Sequence, residues 1–139
     1  MAIAAIDYGK RRLGLAAADS SGMLAYPVET IERNSLKRDI DKLKARLTEL
    51  EATRVIVGLP LNMDGSTGPA ARAAERFARD LAEATGLPVE LQDERLSTFE
   101  AEERLKTTVS GRGRRQSVDA IAAVVILESW LRKQSINGA

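Results

Sequence analysis

The chain begins with two short apolar runs separated by a polar turn. Residues 2–6 and 13–18 are almost entirely apolar, whereas residues 7–12 read Asp-Tyr-Gly-Lys-Arg-Arg. Two apolar runs joined by a polar turn with a glycine predict a β-hairpin, and we expect its first strand to be central in a sheet. Residues 24–33 alternate in polarity, which predicts a third antiparallel strand.

The period of the apolar residues changes after this third strand. Leucine and isoleucine recur every three or four positions from residue 35 to about residue 51, which predicts an amphipathic helix with Ser35 as its N-cap. Residues 54–58 predict a short buried strand. After a loop over residues 59–68, Pro69 starts an alanine-rich helix that extends to about residue 85.

The remaining pattern predicts one more strand and two helices. Residues 89–92 form the strand, which ends at Asp93-Glu94-Arg95. Ser97 and Glu100 have capping-box spacing and predict a helix over residues 98–108, and Ser117 is the predicted N-cap of a last helix that is apolar nearly all round. This order predicts an α/β fold with a mixed five-stranded sheet, three antiparallel strands followed by parallel βα units, and helices on both faces.

Composition limits the chemistry that such a fold could perform. The 139 residues predict a single domain over residues 1–139. Cysteine and histidine are both absent, which excludes thiolate sites, Ser-His and Cys-His dyads and zinc-histidine sites. We find no apolar stretch of membrane-spanning length and no features of a signal peptide at the N-terminus, so we expect a cytoplasmic protein without membrane contact.

Positive charge is concentrated near the end of the chain. The net charge is +1, yet residues 104–139 hold seven Lys/Arg against two Asp/Glu. Arg112, Arg114 and Arg115 lie close together in this segment, where they would suit an anionic partner such as nucleic acid. The alternative is a solvated loop that only keeps the protein in solution.

Acidic residues stand where the predicted elements begin or end. Asp7 and the Asp93-Glu94 pair follow strands, and Asp119 lies at the start of the last helix. Sites in open α/β sheets form beyond the carboxyl ends of strands, so we expect these acids to converge. Such an oxygen-rich site suits Mg²⁺ or Mn²⁺, and two of these ions about 3.5–4 Å apart can activate water for phosphodiester cleavage.

Each acid also has a purely structural interpretation. Asp7 could cap its turn, Asp119 could be favoured by the helix dipole, and Asp93 or Glu94 could pair with Arg95. Because side chains alternate along a strand, only one of Asp93 and Glu94 should face the site, and we favour Glu94.

Four segments of the chain resemble the signature blocks of the YqgF/RuvX family. They are DYGKRRLGLA at residues 7–16, VGLPLNMDGS at residues 57–66, DERLSTFEAE at residues 93–102 and VDAIAA at residues 118–123. A single block would be a weak signal, but four blocks in order and at suitable spacing are a strong one.

The resemblance implies a bacterial cytoplasmic protein of ribonuclease H-like fold, related to Holliday-junction resolvases and acting as a nuclease that matures the 5′ end of precursor 16S ribosomal RNA. It also implies that Asp7, Glu94 (or Asp93) and Asp119 are the catalytic acids, with Asp7, Glu94 and Asp119 as ligands of Mg²⁺ or Mn²⁺. The matched substrate positions are Gly9, Lys10 and Arg11 in the first turn and Asn62, Asp64, Gly65 and Ser66 in a loop over the site.

On this interpretation the partner is a nucleic acid, either precursor ribosomal RNA or branched DNA. Ribosomal particles that contain the precursor RNA would also be partners. We expect its backbone to be held by Lys10 and Arg11 together with the basic segment Arg112, Arg114 and Arg115. Arg95, Ser97 and Thr98 would contact phosphate through a side chain or a helix N-terminus. Both a monomer and a homodimer are compatible with the sequence.

Three other functions stay open at this point. Kinship to resolvases allows cleavage of Holliday-junction DNA instead of RNA. A non-catalytic RNA-binding factor for ribosome assembly would keep the fold and bind without cleaving. Asp-Tyr-Gly followed by Leu-Gly is also similar to the first phosphate loop of actin-like ATPases and sugar kinases, but a nucleotide phosphotransferase of that type usually needs two domains to enclose ATP.

Overall fold

A computed structural model describes residues 1–19, 24–94 and 114–137. Its elements in chain order are β1 (Ala2–Tyr8), β2 (Arg12–Asp19), β3 (Ala25–Glu32), α1 (Leu36–Glu49), β4 (Ala52–Leu59), α2 (Pro69–Thr85), β5 (Val89–Asp93) and α3 (Arg114–Asn137). The five strands form one sheet in the order β3-β2-β1-β4-β5. The first three strands pair antiparallel, whereas β4 pairs parallel with both β1 and β5. The predicted mixed sheet with a central first strand is therefore confirmed.

Alternation along the strands directs two sets of side chains to opposite faces of the sheet. Ile6 of β1 faces α1 and α2, together with Leu13 of β2 and Val57 of β4. The helices supply the other half of this core from Leu43 of α1 and Phe77 of α2. Burial of each such side chain contributes roughly 1.5–3 kcal/mol, so this layer supplies much of the stability.

The opposite face of the sheet is covered by α3. Ala5 and Ile56 on the sheet pack against Ile126, Leu127 and Trp130 of this helix. Several strand residues on this face are alanine, which lets the helix approach the sheet closely. Helices thus lie on both faces, as predicted, and the apolar character of α3 is explained by its burial.

The predicted helix boundaries are confirmed for α1 and α2 and wrong for α3. Ser35 accepts a hydrogen bond from the Arg38 amide, and Gly86 ends α2 in a left-handed conformation. However, α3 begins at Arg114, so Ser117 lies inside the helix and does not cap it. The apolar run begins only after Ser117, but the Arg-Arg-Gln segment before it is also favourable for helix and extends α3 toward the N-terminus. The predicted helix over residues 98–108 lies outside the described residues.

No helix in the described ranges is both long enough and apolar enough to cross a membrane.

Candidate active site

Asp7 is near the carboxyl end of the central strand β1, on the face that α3 covers. It follows Ala5 in the alternation of β1, and Ala5 packs against α3. Across the antiparallel pairing of β1 and β2, Asp7 is opposite Gly14. On the other side of β1 lies β4, where Gly58 follows the Val57 that pairs with Ile6. Asp7 therefore stands between two strand positions that carry no side chain.

Gly14 brings the backbone of α3 onto the sheet. A Cβ atom at this position would overlap the carbonyl group of Asp119 and lie 2.9 Å from the backbone nitrogen of Ala120. Glycine is required here because the neighbouring atoms belong to a helix backbone that cannot move independently. The close contact places Asp119 beside Asp7, although the two residues are far apart in the sequence.

Gly58 makes room for the carboxyl group of Glu94. A Cβ atom at residue 58 would overlap Oε2 of Glu94 and approach Cδ1 of Ile126 to 2.6 Å. The backbone amide of Glu94 donates a hydrogen bond of 3.2 Å to the carbonyl oxygen of Leu59. This bond continues the pairing of β5 with β4 by one residue and directs the Glu94 side chain back over the sheet.

Glu94 and Asp7 form a hydrogen-bonded carboxyl pair. Burial raises the pKa of Glu94 to about 8, with further increases from the charge of Asp7, the hydrogen bond to Asp7 and the charge of Asp93. Burial also raises the pKa of Asp7 to about 6; the charge of Asp119 adds to this, and the hydrogen bond with Glu94 opposes it. Near neutral pH, Glu94 is therefore protonated, and its carboxyl O–H donates a hydrogen bond to the Asp7 carboxylate.

Asp93 belongs to the other side of β5. Glu90 and Gln92 contact α3, through hydrogen bonds to Trp130 and Ser129, whereas Val89 packs with the core on the opposite face. Continued alternation places Asp93 on the Val89 side and Glu94 on the α3 side. Of the two acids, the structure brings Glu94 to Asp7.

Asp119 is held by a residue that the sequence did not single out. Nε of Arg12 donates a hydrogen bond of 2.8 Å to Oδ2 of Asp119, and both side chains are mostly buried. The signal that could have pointed to Arg12 is its position in β2 only two residues from Gly14, on the same side of the strand. Because α3 begins at Arg114, Asp119 lies in the second turn of the helix and not in its first.

The donor set fits a hard divalent cation, although the three acids do not enclose one in this arrangement. Among the described residues, no three Asp, Glu, His or Cys side chains stand in metal-ligating positions. Asp7 is hydrogen-bonded to Glu94, and Asp119 forms an ion pair with Arg12. Carboxylate oxygens are the ligands that Mg²⁺ and Mn²⁺ prefer, and two acids with raised pKa values lack the positive charge that a cation would supply. Arg12 would compete with a shared ion for Oδ2 of Asp119.

The turn after Asp7 is fixed by Gly9 and Arg33. The Gly9 amide donates a 3.0 Å hydrogen bond to the carbonyl oxygen of Arg12, and a Cβ atom on Gly9 would lie 2.7 Å from that oxygen. Arg33 donates to the carbonyl oxygen of Gly9 at 2.9 Å and to the Tyr8 hydroxyl at 2.7 Å, while its guanidinium stacks on the Tyr8 ring. Lys10 and Arg11 are thereby presented to solvent at the tip. Sequence reasoning missed Arg33.

The loop after β4 is organised by its own polar side chains. Asp64 accepts hydrogen bonds from the Ser66 amide at 2.9 Å and the Ser66 hydroxyl at 2.6 Å. The Asn62 amide group donates to the same hydroxyl at 2.9 Å, and Gly65 adopts a positive φ of 87° that glycine accommodates readily. Because Leu59 precedes this loop and its carbonyl oxygen accepts a hydrogen bond from the Glu94 amide, the loop leaves the sheet at the end that carries the acidic pair.

The remaining predicted residues are only partly described. Arg114 and Arg115 form the start of α3. Arg95, Ser97, Thr98 and Arg112 lie outside the described residues.

Comparison with known proteins places this geometry in context. The family model RuvX, described as Holliday junction resolvase, matches residues 1–133. A protein of Anaeromyxobacter sp. (strain Fw109-5) named "Putative pre-16S rRNA nuclease" is 51% identical over 127 residues, which cover 91% of this chain and 93% of that protein.

Two solved structures share the fold. Thermus thermophilus RuvC in complex with Holliday junction substrate has a TM-score of 0.58 at 19% identity, covering 97% of this chain and 96% of RuvC. The fowlpox virus Holliday junction resolvase has a TM-score of 0.60 at 12% identity, covering 96% and 99% of the two chains. The predicted ribonuclease H-like architecture is confirmed.

Proposed function

Because the chain belongs to the RuvX family, we propose that it is a metal-dependent nuclease that hydrolyses phosphodiester bonds in structured nucleic acid. One observation carries the proposal: the Asp7–Glu94 pair and Asp119 come from three different elements to one end of the sheet, over two glycines that leave space for them. A fold that needed these acids only for solubility would have no reason to bury them together.

Asp7, Glu94 and Asp119 are the proposed ligands of Mg²⁺ or Mn²⁺. We leave Asp93 out of this set because alternation along β5 places it on the opposite side of the strand. When bound, such ions lower the pKa of a water molecule and stabilise the leaving oxygen of the phosphodiester. The protein has neither histidine nor cysteine to take over these roles.

The chain's own residues prepare the site for a cation and a phosphate. On binding a cation, Glu94 would release its proton to solvent, because the positive charge would lower its raised pKa, and Asp7 and Glu94 would then both offer ionised oxygens as ligands. The guanidinium group of Arg12, which pairs with Asp119, would be available to a phosphate oxygen once Asp119 binds a cation. Lys10 and Arg11 at the turn contact the phosphate backbone of the nucleic acid. The loop residues Asn62, Asp64, Gly65 and Ser66 hold the nucleic acid from the other side.

The basic segment completes the proposed substrate contacts. We assign Arg112, Arg114 and Arg115 to the phosphate backbone because of their clustered positive charge, and Arg95, Ser97 and Thr98 to phosphates nearer the acids. The resulting affinity depends strongly on salt because it comes from displaced counterions.

The favoured substrate is the 5′ end of precursor 16S ribosomal RNA. Support comes from the half-identical relative of nearly equal length whose name specifies this RNA. Branched DNA is the second candidate, supported by the description of the family model as Holliday junction resolvase.

A cleavage assay tests the proposal and separates these candidates. Purified protein is incubated with precursor 16S RNA and with a four-way DNA junction, in Mg²⁺, in Mn²⁺ and in chelator, beside the Asp7→Asn variant. We expect metal-dependent cleavage of the RNA that the variant has lost. Binding of RNA without cleavage in either metal would instead assign the protein to a non-catalytic role in ribosome assembly.

A further inference from the structure

Helix α2 carries a row of arginines along its outer face. Arg72, Arg76 and Arg79 are exposed and are spaced by four and three residues, which places them on one side of the helix. The opposite side, with Ala74, Phe77 and Leu81, is buried against the sheet. The row is about 10 Å long at the rise of an α-helix, which equals the length of roughly three nucleotides in a stacked strand.

These arginines differ from several others in the protein because they form no ion pair with an acid in the described part of the chain. Arg12, Arg33, Arg46 and Arg54 all form ion pairs. Within residues 1–19, 24–94 and 114–137, the guanidinium groups of Arg72, Arg76 and Arg79 have neither an ion-pair nor a hydrogen-bond partner. Glu75 and Asp80 are half-buried at the flanks of the row, and no ion pair between them and the row is formed among the described residues. The guanidinium groups of the row are thus not held by an ion pair to any residue that the structure describes.

The row begins at the carboxyl end of β4, which is also the end of the sheet that carries the acids, although α2 and the acids lie on opposite faces of the sheet. Helix α2 follows the loop of Asn62–Ser66, which leaves β4 beside Glu94, and it returns antiparallel to β4 before β5 begins. Its N-terminus has no side-chain cap and no acid in its first turn, so the helix dipole adds positive potential at that end. Arg72 is therefore the member of the row nearest this end of the sheet. The exposed acid Glu83, four residues after Arg79, ends the row at the far end of the helix.

We propose that Arg72, Arg76 and Arg79 form a track for the phosphate backbone of a nucleic acid strand that extends beyond the cleaved bond. This inference rests on the proposed nuclease function and adds the path along which the substrate strand leaves the site. Guanidinium groups suit phosphates because they donate two parallel hydrogen bonds. Contacts of this kind bind any sequence, so the track lengthens the bound segment without selecting bases.

The test is binding of fluorescein-labelled single-stranded RNA of about 30 nucleotides and of about 10 nucleotides, with a four-way DNA junction as a second probe. The variant Arg72→Gln/Arg76→Gln/Arg79→Gln is compared with Lys44→Gln/Arg132→Gln/Lys133→Gln. The control loses the same charge from exposed positions toward the ends of α1 and α3, away from the edge with the acids. Circular dichroism and thermal unfolding verify that both variants fold.

We expect the track variant to bind the longer RNA at least about tenfold more weakly. Its slope of log K against log salt should fall by about two, because each of the three lost phosphate contacts on a single strand removes about 0.7 of a unit. The control stays within about twofold of the parent. Shortening the RNA weakens the parent more than the track variant. Equal losses in the two variants, or an unchanged salt slope, would overturn the track.

The outcomes also separate this proposal from the nuclease function. If the protein binds through the track but cleaves neither RNA nor DNA, the nuclease proposal fails and the track stands. If the protein cleaves and the track variant behaves like the control, the track fails and the nuclease stands. A protein that binds neither probe refutes both.

Discussion

Asp7 faces Gly14 across the β1–β2 pairing, and the backbone of α3 rests on that glycine at Asp119. Asp7 and Asp119 are thus brought together by Gly14, which has no side chain to separate them. This arrangement makes the position of Asp119 depend on how closely α3 can approach β2.

A methyl group at Gly14 should therefore damage the fold. In Gly14→Ala the new Cβ overlaps the Asp119 carbonyl group, so the whole helix has to shift away from the sheet. We expect the free energy of unfolding to fall by about 3 kcal/mol or more, at the upper end of overpacked cores. Urea denaturation measures this loss, and a change below 0.5 kcal/mol, typical of surface substitutions, would show that α3 does not rest on Gly14.

Gly58→Ala should affect function more than stability. Its Cβ meets the end of the Glu94 side chain and the tip of Ile126, which can both move, and not a helix backbone. We expect a loss of about 1 kcal/mol in stability together with a loss of at least tenfold in nuclease rate, because Glu94 is pushed away from Asp7. The prediction fails if the activity survives, or if this variant is destabilised as strongly as Gly14→Ala.

The two raised pKa values predict how stability depends on pH in the absence of divalent cations. Folding raises the pKa of Asp7 from 3.8 to about 6 and that of Glu94 from 4.5 to about 8. The folded state therefore binds protons more tightly than the unfolded state. Stability from these groups is fully present below pH 4, decreases as the pH rises through 6 and 8, and is constant above that.

The measurement is the free energy of unfolding of the parent and of Glu94→Gln at several pH values in chelator. Other groups contribute equally to both proteins, so their difference isolates the pair. We expect the advantage of the glutamine variant over the parent to grow as pH rises toward 8. An advantage that is independent of pH would contradict the raised pKa of Glu94.

Arg12 competes with a cation for Asp119. Replacing Arg12 should therefore strengthen metal binding, whereas most substitutions near a binding site weaken it. In Arg12→Gln the carboxylate loses its 2.8 Å partner and a nearby positive charge. We expect Mn²⁺ to bind about fivefold more tightly, which corresponds to about 1 kcal/mol for the lost ion pair. Titration calorimetry tests this. Unchanged or weaker Mn²⁺ binding would mean that Asp119 is not a ligand.

Arg33 and Asp39 should be coupled in stability. Asp39 is buried to 3% exposure, with Nε of Arg33 3.7 Å from Oδ2 and the Asn34 amide bonded to Oδ1. Arg33→Met leaves this carboxylate without a cation, and we expect a loss of about 3 kcal/mol. Adding Asp39→Asn should restore a large part of it, as measured by urea denaturation. Strict additivity of the two substitutions would refute the coupling.

The elements that could be predicted from the sequence are those with a local period. The hairpin, α1 with its Ser35 cap and α2 between Pro69 and Gly86 were predicted because their apolar spacing and boundary residues lie within one segment. The convergence of acids at the strand ends followed from the general topology of mixed sheets.

What the sequence could not provide depends on contacts between distant segments. The roles of Gly14 and Gly58 arise only when α3 and Glu94 arrive over them. Arg12 and Arg33 look like ordinary turn and strand-end cations until Asp119, Tyr8 and Asp39 are brought to them. The start of α3 was misplaced because the basic residues before Ser117 carry no apolar period that would mark them as helical.

The most direct test of the central claim is a crystal structure of the protein with Mn²⁺, with the ion located by its anomalous scattering. We predict a peak bonded to carboxylate oxygens of Asp7, Glu94 and Asp119, with Arg12 displaced from Asp119. An ion bound elsewhere, or an Asp119 that stays on Arg12 under conditions in which the protein cleaves nucleic acid, would contradict the assignment of these three acids as one metal site.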